Sequence, residues 1–594
     1  MVRLARIMGT VRGTAVVAVA LGVGAGCEER IDLDPLDDAA PVEARTRPGP
    51  ISGGTLRITS AGDAIASDPD RDLVHVVDLD AGTVRATIAL EPGDEPGRVI
   101  EGDDGVVHVV LRGFGGVATI DPSAGSVVSR RWLCPDPRGI ARDPADATLH
   151  VACADGALLQ VDAASGEVIA RAELEPDLRD VVVFDGAVFA SVFRAAALVR
   201  ADGQRVTVPV QGGRPHVAWR TWTEPAAPDG GAAVMMLHQV ASVEPVPIDL
   251  DASDVEAGSS PYGGGSFCEP GITTPVLTVL RANDSVSMPI ANAKLTVDAA
   301  LSPDGRWIAL AMPGKPGDQA SVEVLPIGES CLFQDDSVPE MVGKGQVTAV
   351  AFTPGGALVM QSREPARLMI IDDAPFGSVT VIELQGESRL DTGHEIFHRA
   401  TESTLSCASC HPEGGDDGHV WTFEGIGKRR TQALDLGLAD TEPFHWDGDM
   451  QDLDMIMGEV LAHRMGGHRQ SKARRESFAR WMFDQERPVA DADKDDPAVV
   501  ADGEALFATY GCATCHSGPK LGGANTETFR GQDLQVPLLR RVSLRPPYMH
   551  DGRAKTIEDA VRDMVEGTVD PATNAPRKAP QADIDAMAAY LRTL

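Results

Sequence analysis

Two pentapeptides in the last third of the chain carry the most specific chemistry, Cys407-Ala408-Ser409-Cys410-His411 and Cys512-Ala513-Thr514-Cys515-His516. Thiols at i and i+3 stand one helical turn apart, a spacing at which both can add to the two vinyl groups of a single haem. The adjoining His then lies beneath the iron as proximal ligand. With nine Cys and fourteen His in 594 residues, one such pentapeptide is expected by chance only about 0.003 times. A structural zinc site would need further Cys or His to complete a tetrahedral set. The motifs predict two covalently attached c-type haems. Cys407, Cys410, Cys512 and Cys515 are the attachment points, and His411 and His516 the iron ligands.

The flanking segments are read as the elements that position these groups. Gly393–His398 before the first motif and Gly503–Phe507 before the second read as short amphipathic helices that bring an aromatic ring to a haem edge. Ile584, Met587, Ala588 and Leu591 form an apolar stripe at helical spacing, suited to closing over a haem. The chain is too long for one compact core, and 43% hydrophobic residues indicate packed globular structure. Lys and Arg number 53 against 88 Asp and Glu, a net charge of -35. Such a surface repels phosphate backbones and excludes a nucleic-acid role.

Residues 51–375 show a period. Val77-Asp78-Leu79-Asp80-Ala81-Gly82 returns as Ile120-Asp121-Pro122-Ser123-Ala124-Gly125 and as Val161-Asp162-Ala163-Ala164-Ser165-Gly166. Each copy is an apolar run, a D-x-x-x-G turn and a second apolar run, which is a hairpin. Arg200-Ala201-Asp202-Gly203 continues the spacing loosely. A second turn pattern begins at Leu301-Ser302-Pro303-Asp304-Gly305 and at Phe352-Thr353-Pro354-Gly355-Gly356. A β repeat of roughly 40–45 residues is the signature of a propeller blade, and the span holds about seven. It resembles the exported seven-bladed propellers, which implies no activity. Gly- and Pro-rich stretches at 224–231 and 259–271 read as insertions on a loop face. The expected fold is multidomain: an all-β propeller of about seven blades, then two mainly α-helical cytochrome c-type domains at 391–490 and 491–594.

The N-terminus reads as an export signal over 1–26. A basic start with Arg3, Arg6 and Arg12 precedes an apolar run, and Gly24-Ala25-Gly26 ends just before Cys27. Small residues before a Cys resemble a bacterial lipoprotein cleavage box. The resemblance implies lipidation of Cys27 and a place in the periplasm or outer envelope of a Gram-negative-type bacterium, with only the lipid in the membrane. Residues 27–50, rich in Pro, Asp and Glu, read as the lipidated Cys followed by a solvated linker. In an oxidising envelope Cys134, Cys153, Cys268 and Cys331 can pair in three ways. Neighbour pairing, Cys134–Cys153 and Cys268–Cys331, is favoured, and buried free thiols are the alternative.

Residues 391–594 resemble the bacterial di-haem cytochrome c peroxidases and the methylamine-utilisation di-haem enzymes. The matching pieces are both attachment motifs, Gly415-Asp416-Asp417-Gly418, Phe444-His445-Trp446-Asp447-Gly448, Val536-Pro537-Leu538-Leu539-Arg540, Pro547-Tyr548-Met549-His550-Asp551-Gly552 and Thr556-Ile557-Glu558-Asp559-Ala560-Val561. The resemblance implies Met564 as the second ligand of haem 2, with Met549 as the alternative. It implies Trp446 as an aromatic between the haems, and His419, His445 or Met465 as the group facing haem 1. It also implies a small cytochrome or cupredoxin as electron donor and hydrogen peroxide, or another substrate, as acceptor. The chain departs from the family in two places. The acid near the peroxide pocket is replaced around Arg464-Met465, with Glu459 as a possible substitute. No Asn for the inter-haem calcium is evident near Arg429-Arg430-Thr431, so calcium is doubtful. Three readings follow: a peroxidase-class oxidoreductase, a pure electron-transfer protein with both irons six-coordinate, and a lipoprotein whose propeller docks a partner.

Overall fold

The computed structural model describes residues 36–225, 231–249, 261–262, 271–282, 284–315, 321–328, 331–333, 345–487, 495–523, 525–569 and 573–594. The signal segment and Cys27 lie outside the described residues, as do the centres of both expected insertions, 226–230 and 263–270.

Seven sheets, each built of consecutive antiparallel strands, form the blades of a propeller. Blade 1 spans Leu56–Ala89, blade 2 Pro96–Trp132, blade 3 Pro137–Glu173, blade 4 Leu178–Thr207, blade 5 Gly213–Pro289, blade 6 Asp298–Pro326 and blade 7 Val347–Glu383. Blade 6 has three strands among the described residues and the others four. The last strand, Val379–Glu383, carries the wheel past the boundary expected at 375.

The D-x-x-x-G repeat is the turn between the third and fourth strands of blades 1 to 3. Asp78 Oδ1 accepts from Ala81 N at 2.8 Å, Asp121 Oδ1 from Ala124 N at 3.0 Å and Asp162 Oδ1 from Ser165 N at 2.7 Å. The closing Gly82, Gly125 and Gly166 take φ of 63°, 62° and 73°, a region open to glycine without penalty. The second pattern turns between the first and second strands of blades 6 and 7.

Apolar residues of neighbouring sheets fill the spaces between blades, as with Ile65, Val76 and Ile88 of blade 1 against Val109 and Ile120 of blade 2. Blades 1 and 7 share no strand. They close the ring through Leu56, Ala66 and Val77 against Val359, Leu368 and Ile382, with buried ion pairs Arg71–Glu364 at 3.0 Å and Arg363–Asp70 at 2.5 Å. A disulfide Cys134–Cys153, Cα–Cα 6.3 Å, staples blade 2 to blade 3. Cys331 is also disulfide-bonded, and Cys268 lies outside the described residues.

Among the described residues seven helices follow the wheel: α1 Thr392–His398, α2 Cys407–Cys410, α3 Leu453–Met455, α4 Lys472–Phe483, α5 Pro497–Thr509, α6 Ile557–Glu566 and α7 Gln581–Arg592. A π-helical stretch, Ile456–Arg464, continues α3. None of the helices among the described residues is long and apolar enough to cross a membrane.

The segment expected as a solvated linker is, from Leu36 onward, a strap on the first helical domain. Leu36–Asp37 pairs in parallel with Arg469–Gln470. Val42 N donates to Thr392 Oγ1 at 2.9 Å and Trp481 Nε1 to Pro48 O at 2.9 Å. Its acidic side chains find cations, Asp37 meeting Arg474 at 3.1 Å and Glu43 meeting Arg480.

His398 pins the end of the strap. Its Nδ1 donates to His394 O at 2.8 Å, and its Nε2 accepts from Ile51 N at 3.1 Å. Burial lowers its pKa to about 3, with smaller effects from the His394 carbonyl and Arg363. The folded value lies below the unfolded one, near 6.5. The stability that neutral His398 contributes is therefore complete above about pH 6.5 and is lost as pH falls toward the folded value. The His398→Gln protein should show an apparent stability less steep in pH between 6.5 and 4, by up to about 1.4 kcal/mol per pH unit. Denaturant titrations at half-unit pH steps measure this.

Candidate haem sites

At the first motif, Ser406 starts α2 with a reciprocal cap, its N–H donating to Ser409 Oγ at 3.0 Å. The turn places Cys407 and Cys410 on one wall, both thiols free. Burial pushes the Cys407 thiol up to about 12 and raises that of Cys410, with Asp417 adding to the latter. His411 follows at the helix end. Its Nδ1 donates to Gly415 O at 3.2 Å, which leaves Nε2 as the ligating atom. Burial also lowers the His411 pKa, holding the ring in the neutral form that a metal requires.

These three side chains face a cavity of about 310 Å³. Its apolar walls come from α1 (Phe397), α4 (Phe478, Met482) and the π-helical stretch (Ile456, Val460). Blade 5 supplies a further wall through Val246, Tyr262 and Ile272, on the long connection between its second and third strands. Val246 N donates to Thr422 O at 2.7 Å and Tyr262 N to Arg464 O at 2.9 Å, so this connection is bonded to the helical domain. Arg430, also on the lining, keeps a buried Nε without a partner. Free paired thiols, a neutral imidazole, apolar walls and an unpaired guanidinium N–H suited to a carboxylate fit a covalently held haem.

Of the expected facing groups, His445 and Met465 line this cavity. His419 is not on its lining. It turns to the propeller, its ring 4.4 Å from Trp421 and 5.7 Å from His216 of blade 5. Glu459 is exposed and off the lining, so it supplies no acid there. The lining also holds a carboxylate that sequence reasoning missed. Asp449 Oδ1 lies 3.3 Å from His445 Nδ1, and the hydrogen bond from His445 holds the Asp449 carboxyl below its usual range. Arg464 stands by Asp449 and bonds to Tyr262.

Trp446 lines the same cavity and is also one of the contacts to the second domain. Its Nε1 donates to Arg430 O at 2.7 Å, its carbonyl accepts from Gln535 N at 2.8 Å, and its ring lies 6.3 Å from that of His550. At the doubtful calcium position, Arg430 donates to Asp416 at 2.9 Å and to Arg545 O at 2.9 Å. Among the described residues no group of three or more His, Cys, Asp and Glu is placed to hold a metal ion.

The second motif repeats the design. Gly511, φ 79°, opens a single tight turn over Cys512–Thr514. His516 Nδ1 donates to Leu521 O at 3.2 Å, and Phe507 of α5 lies 6.4 Å from the ring. Phe507, Ile557, Val561, Val565 and the predicted stripe Ile584, Met587, Ala588 and Leu591 form one cluster, against which Cys512 and Met549 pack. Thr556 caps α6, accepting from Asp559 N at 3.1 Å. Met564 is half-buried on α6, beside the cluster-facing Val561 and Val565.

The two domains share a second device. Phe444 and Met450 bridge, as do Tyr548 and Ala554, and within each loop one residue other than glycine takes positive φ, His445 at 62° and Met549 at 71°. Pro443-Phe444-His445-Trp446-Asp447-Gly448 and Pro547-Tyr548-Met549-His550-Asp551-Gly552 are thus the same loop. The sequence carries this P-[F/Y]-x-x-D-G repeat openly. It gives His445 and Met549 equivalent places, and Trp446 and His550 likewise.

Residues 500–594 match the family model for cytochrome c. Cytochrome c peroxidase Ccp of Escherichia coli (strain K12) is 26% identical over 271 residues, covering 34% of this chain and 57% of that protein. Cytochrome c551 peroxidase of Nitrosomonas europaea is 33% identical over 86 residues, covering 11% of this chain and 26% of that protein. The chain thus spans about half the length of the first and a quarter of the second. Among solved structures, Kuenenia stuttgartiensis hydrazine synthase covers 58% of this chain and 98% of its own at 15% identity, with a TM-score of 0.40. The chain is therefore a seven-bladed propeller followed by a C-terminal cytochrome c domain, with weak similarity to bacterial cytochrome c peroxidases, and the matches support covalently bound haem c.

Proposed function

We propose that this protein is a di-haem oxidoreductase in which the first motif holds the substrate-side haem and the second holds an electron-receiving haem. The observation that carries the proposal is the His445–Asp449 pair at 3.3 Å on the lining of the first cavity. Haem iron supplies one-electron chemistry there when bound. Reduction of a peroxide to two waters consumes two electrons, delivered by a small cytochrome or cupredoxin donor, and two protons. Asp449 accepts from His445 Nδ1, which leaves Nε2 free to take a proton from one peroxide oxygen and return it to the other. This pair does the work of the acid missing from the Arg464-Met465 region, and the Arg464 cation adds fixed positive charge beside it. Trp446, between the cavity and His550, is placed to carry electrons that a haem at the second motif would supply. Met549 or Met564, with His516, would hold the iron of the second haem, and a lipid on Cys27 would tether the molecule in the periplasm or outer envelope.

A second reading draws on Met465, which lines the same cavity. As a ligand it would close the first iron and leave a pure electron-transfer protein. Carbon monoxide and EPR separate the two. The half-reduced oxidoreductase should show a high-spin signal and bind one carbon monoxide per chain on full reduction. Two low-spin irons in every redox state, with no adduct and no peroxide turnover, would sink the first reading.

A further inference from the structure

The helical domain sits on the propeller face that bears the loops joining second to third strands, and it pushes one carboxylate into the wheel. Glu413, two residues beyond His411, is 4% exposed. Its Oε2 accepts from Arg112 Nη2 at 2.8 Å, just past the second strand of blade 2, and its Oε1 accepts from Arg179 on the inner strand of blade 4. Arg487 of the helical domain stands 3.9 Å away. Asp416, three residues on, is gripped likewise, by Arg194 of blade 4 at 3.0 Å and Arg430 at 2.9 Å.

The backbone between is tight and unfavourable. Glu413 has φ 54°, ψ 26°, a left-handed conformation that a side-chain-bearing residue seldom takes without support. Gly414 follows at φ 77°, where a Cβ would stand 2.8 Å from Pro50 Cγ. Gly414 N donates to His411 O at 3.1 Å and Gly415 N to Pro412 O at 3.0 Å. The carbonyl of Gly415 is the acceptor for His411 Nδ1. A short chain of fixed atoms thus runs from two propeller guanidinium groups to the imidazole of the first haem site.

We propose that Arg112 and Arg179 of the propeller are positioning residues for His411, acting through Glu413 to hold the strained loop that aims the ring. The wheel is then part of the first haem site. This rests on a haem being held at the first motif and on no particular substrate.

The test uses the full-length matured protein, with separate potentiometric and EPR signals for the two haems. Glu413→Asp keeps the charge and shortens the reach by one methylene. It should shift the haem 1 reduction equilibrium about tenfold, 59 mV for one electron, and broaden the haem 1 EPR signal while haem 2 stays unchanged. Arg179→Met combined with Glu413→Gln removes one charge of each sign and should leave haem 1 displaced in the same way. Arg474→Ala, which cuts the strap's ion pair to Asp37, should move neither haem. Three results overturn the proposal: an unchanged haem 1 in Glu413→Asp, recovery of the wild-type potential in the double variant, or equal shifts at both haems. A wild-type mass lacking the first haem would instead remove the reading on which the proposal rests.

Discussion

Replacing Cys407 and Cys410 together with serine should yield a mature protein lighter by one haem, with the second haem retained. A serine hydroxyl does not add to a vinyl group as a thiolate does, so His411 would be left to hold the iron alone. The consequence reaches stability as well as redox content. Left unfilled, the 310 Å³ apolar cavity costs on the order of 7 kcal/mol at about 24 cal/mol per Å³. That is comparable to the whole stability of a typical domain. The first helical domain should therefore collapse or be degraded when the chain is made without haem. The matching change at Cys512 and Cys515 should remove the other haem and leave the first cavity filled. Intact mass and the pyridine haemochrome spectrum of each variant decide the matter, and an unaltered mass in either pair would refute the assignment of that motif.

Replacing His445 with alanine should lower peroxide turnover by about 10²- to 10⁴-fold, the usual contribution of a positioned acid–base group, with haem content unchanged. Asp449→Asn should cost less, because the imidazole stays in place but its Nδ1 loses the carboxylate that sets the tautomer. A further outcome separates acid–base work from ligation. Were His445 an iron ligand, its loss would open the site and raise carbon monoxide binding, whereas an acid–base His445 leaves that stoichiometry at one per chain.

Much of the wheel was legible because its signal is local. An Asp capping its own turn and a Gly at positive φ leave the same letters in blades 1 to 3, at Asp78, Asp121 and Asp162. The attachment motifs were legible for the same reason, since thiols and ligand sit within one turn. What remained hidden depends on partners far apart in the chain. Pro, Asp and Glu in 28–50 resemble solvated linker composition, but from Leu36 onward this segment finds Arg474, Arg480 and the backbone of 469–470. Asp449 and Arg464 matter only once a loop and a π-helical stretch meet over one cavity. Glu413 is an ordinary acid until blades 2 and 4 bring their arginines to it. Tyr262 gives no sign in sequence that a β-wheel furnishes a wall of the haem cavity. The repeated P-[F/Y]-x-x-D-G loop was readable from sequence alone, and it shows that positions 445 and 549 are one loop position used twice.

The join between blades 1 and 7 has a mechanical consequence. No strand crosses it, and Arg389, leading into α1, reaches both sides, its Nε donating to Asp70 O at 3.0 Å and its N–H to Glu364 at 2.6 Å. Arg363 of the same join lies 3.4 Å from His394 of α1. The wheel is a hoop cut once, and the entry to the haem domain is the buckle across the cut. Prising the hoop open requires the buckle to lift first, so release of the haem domain should precede any opening of the wheel.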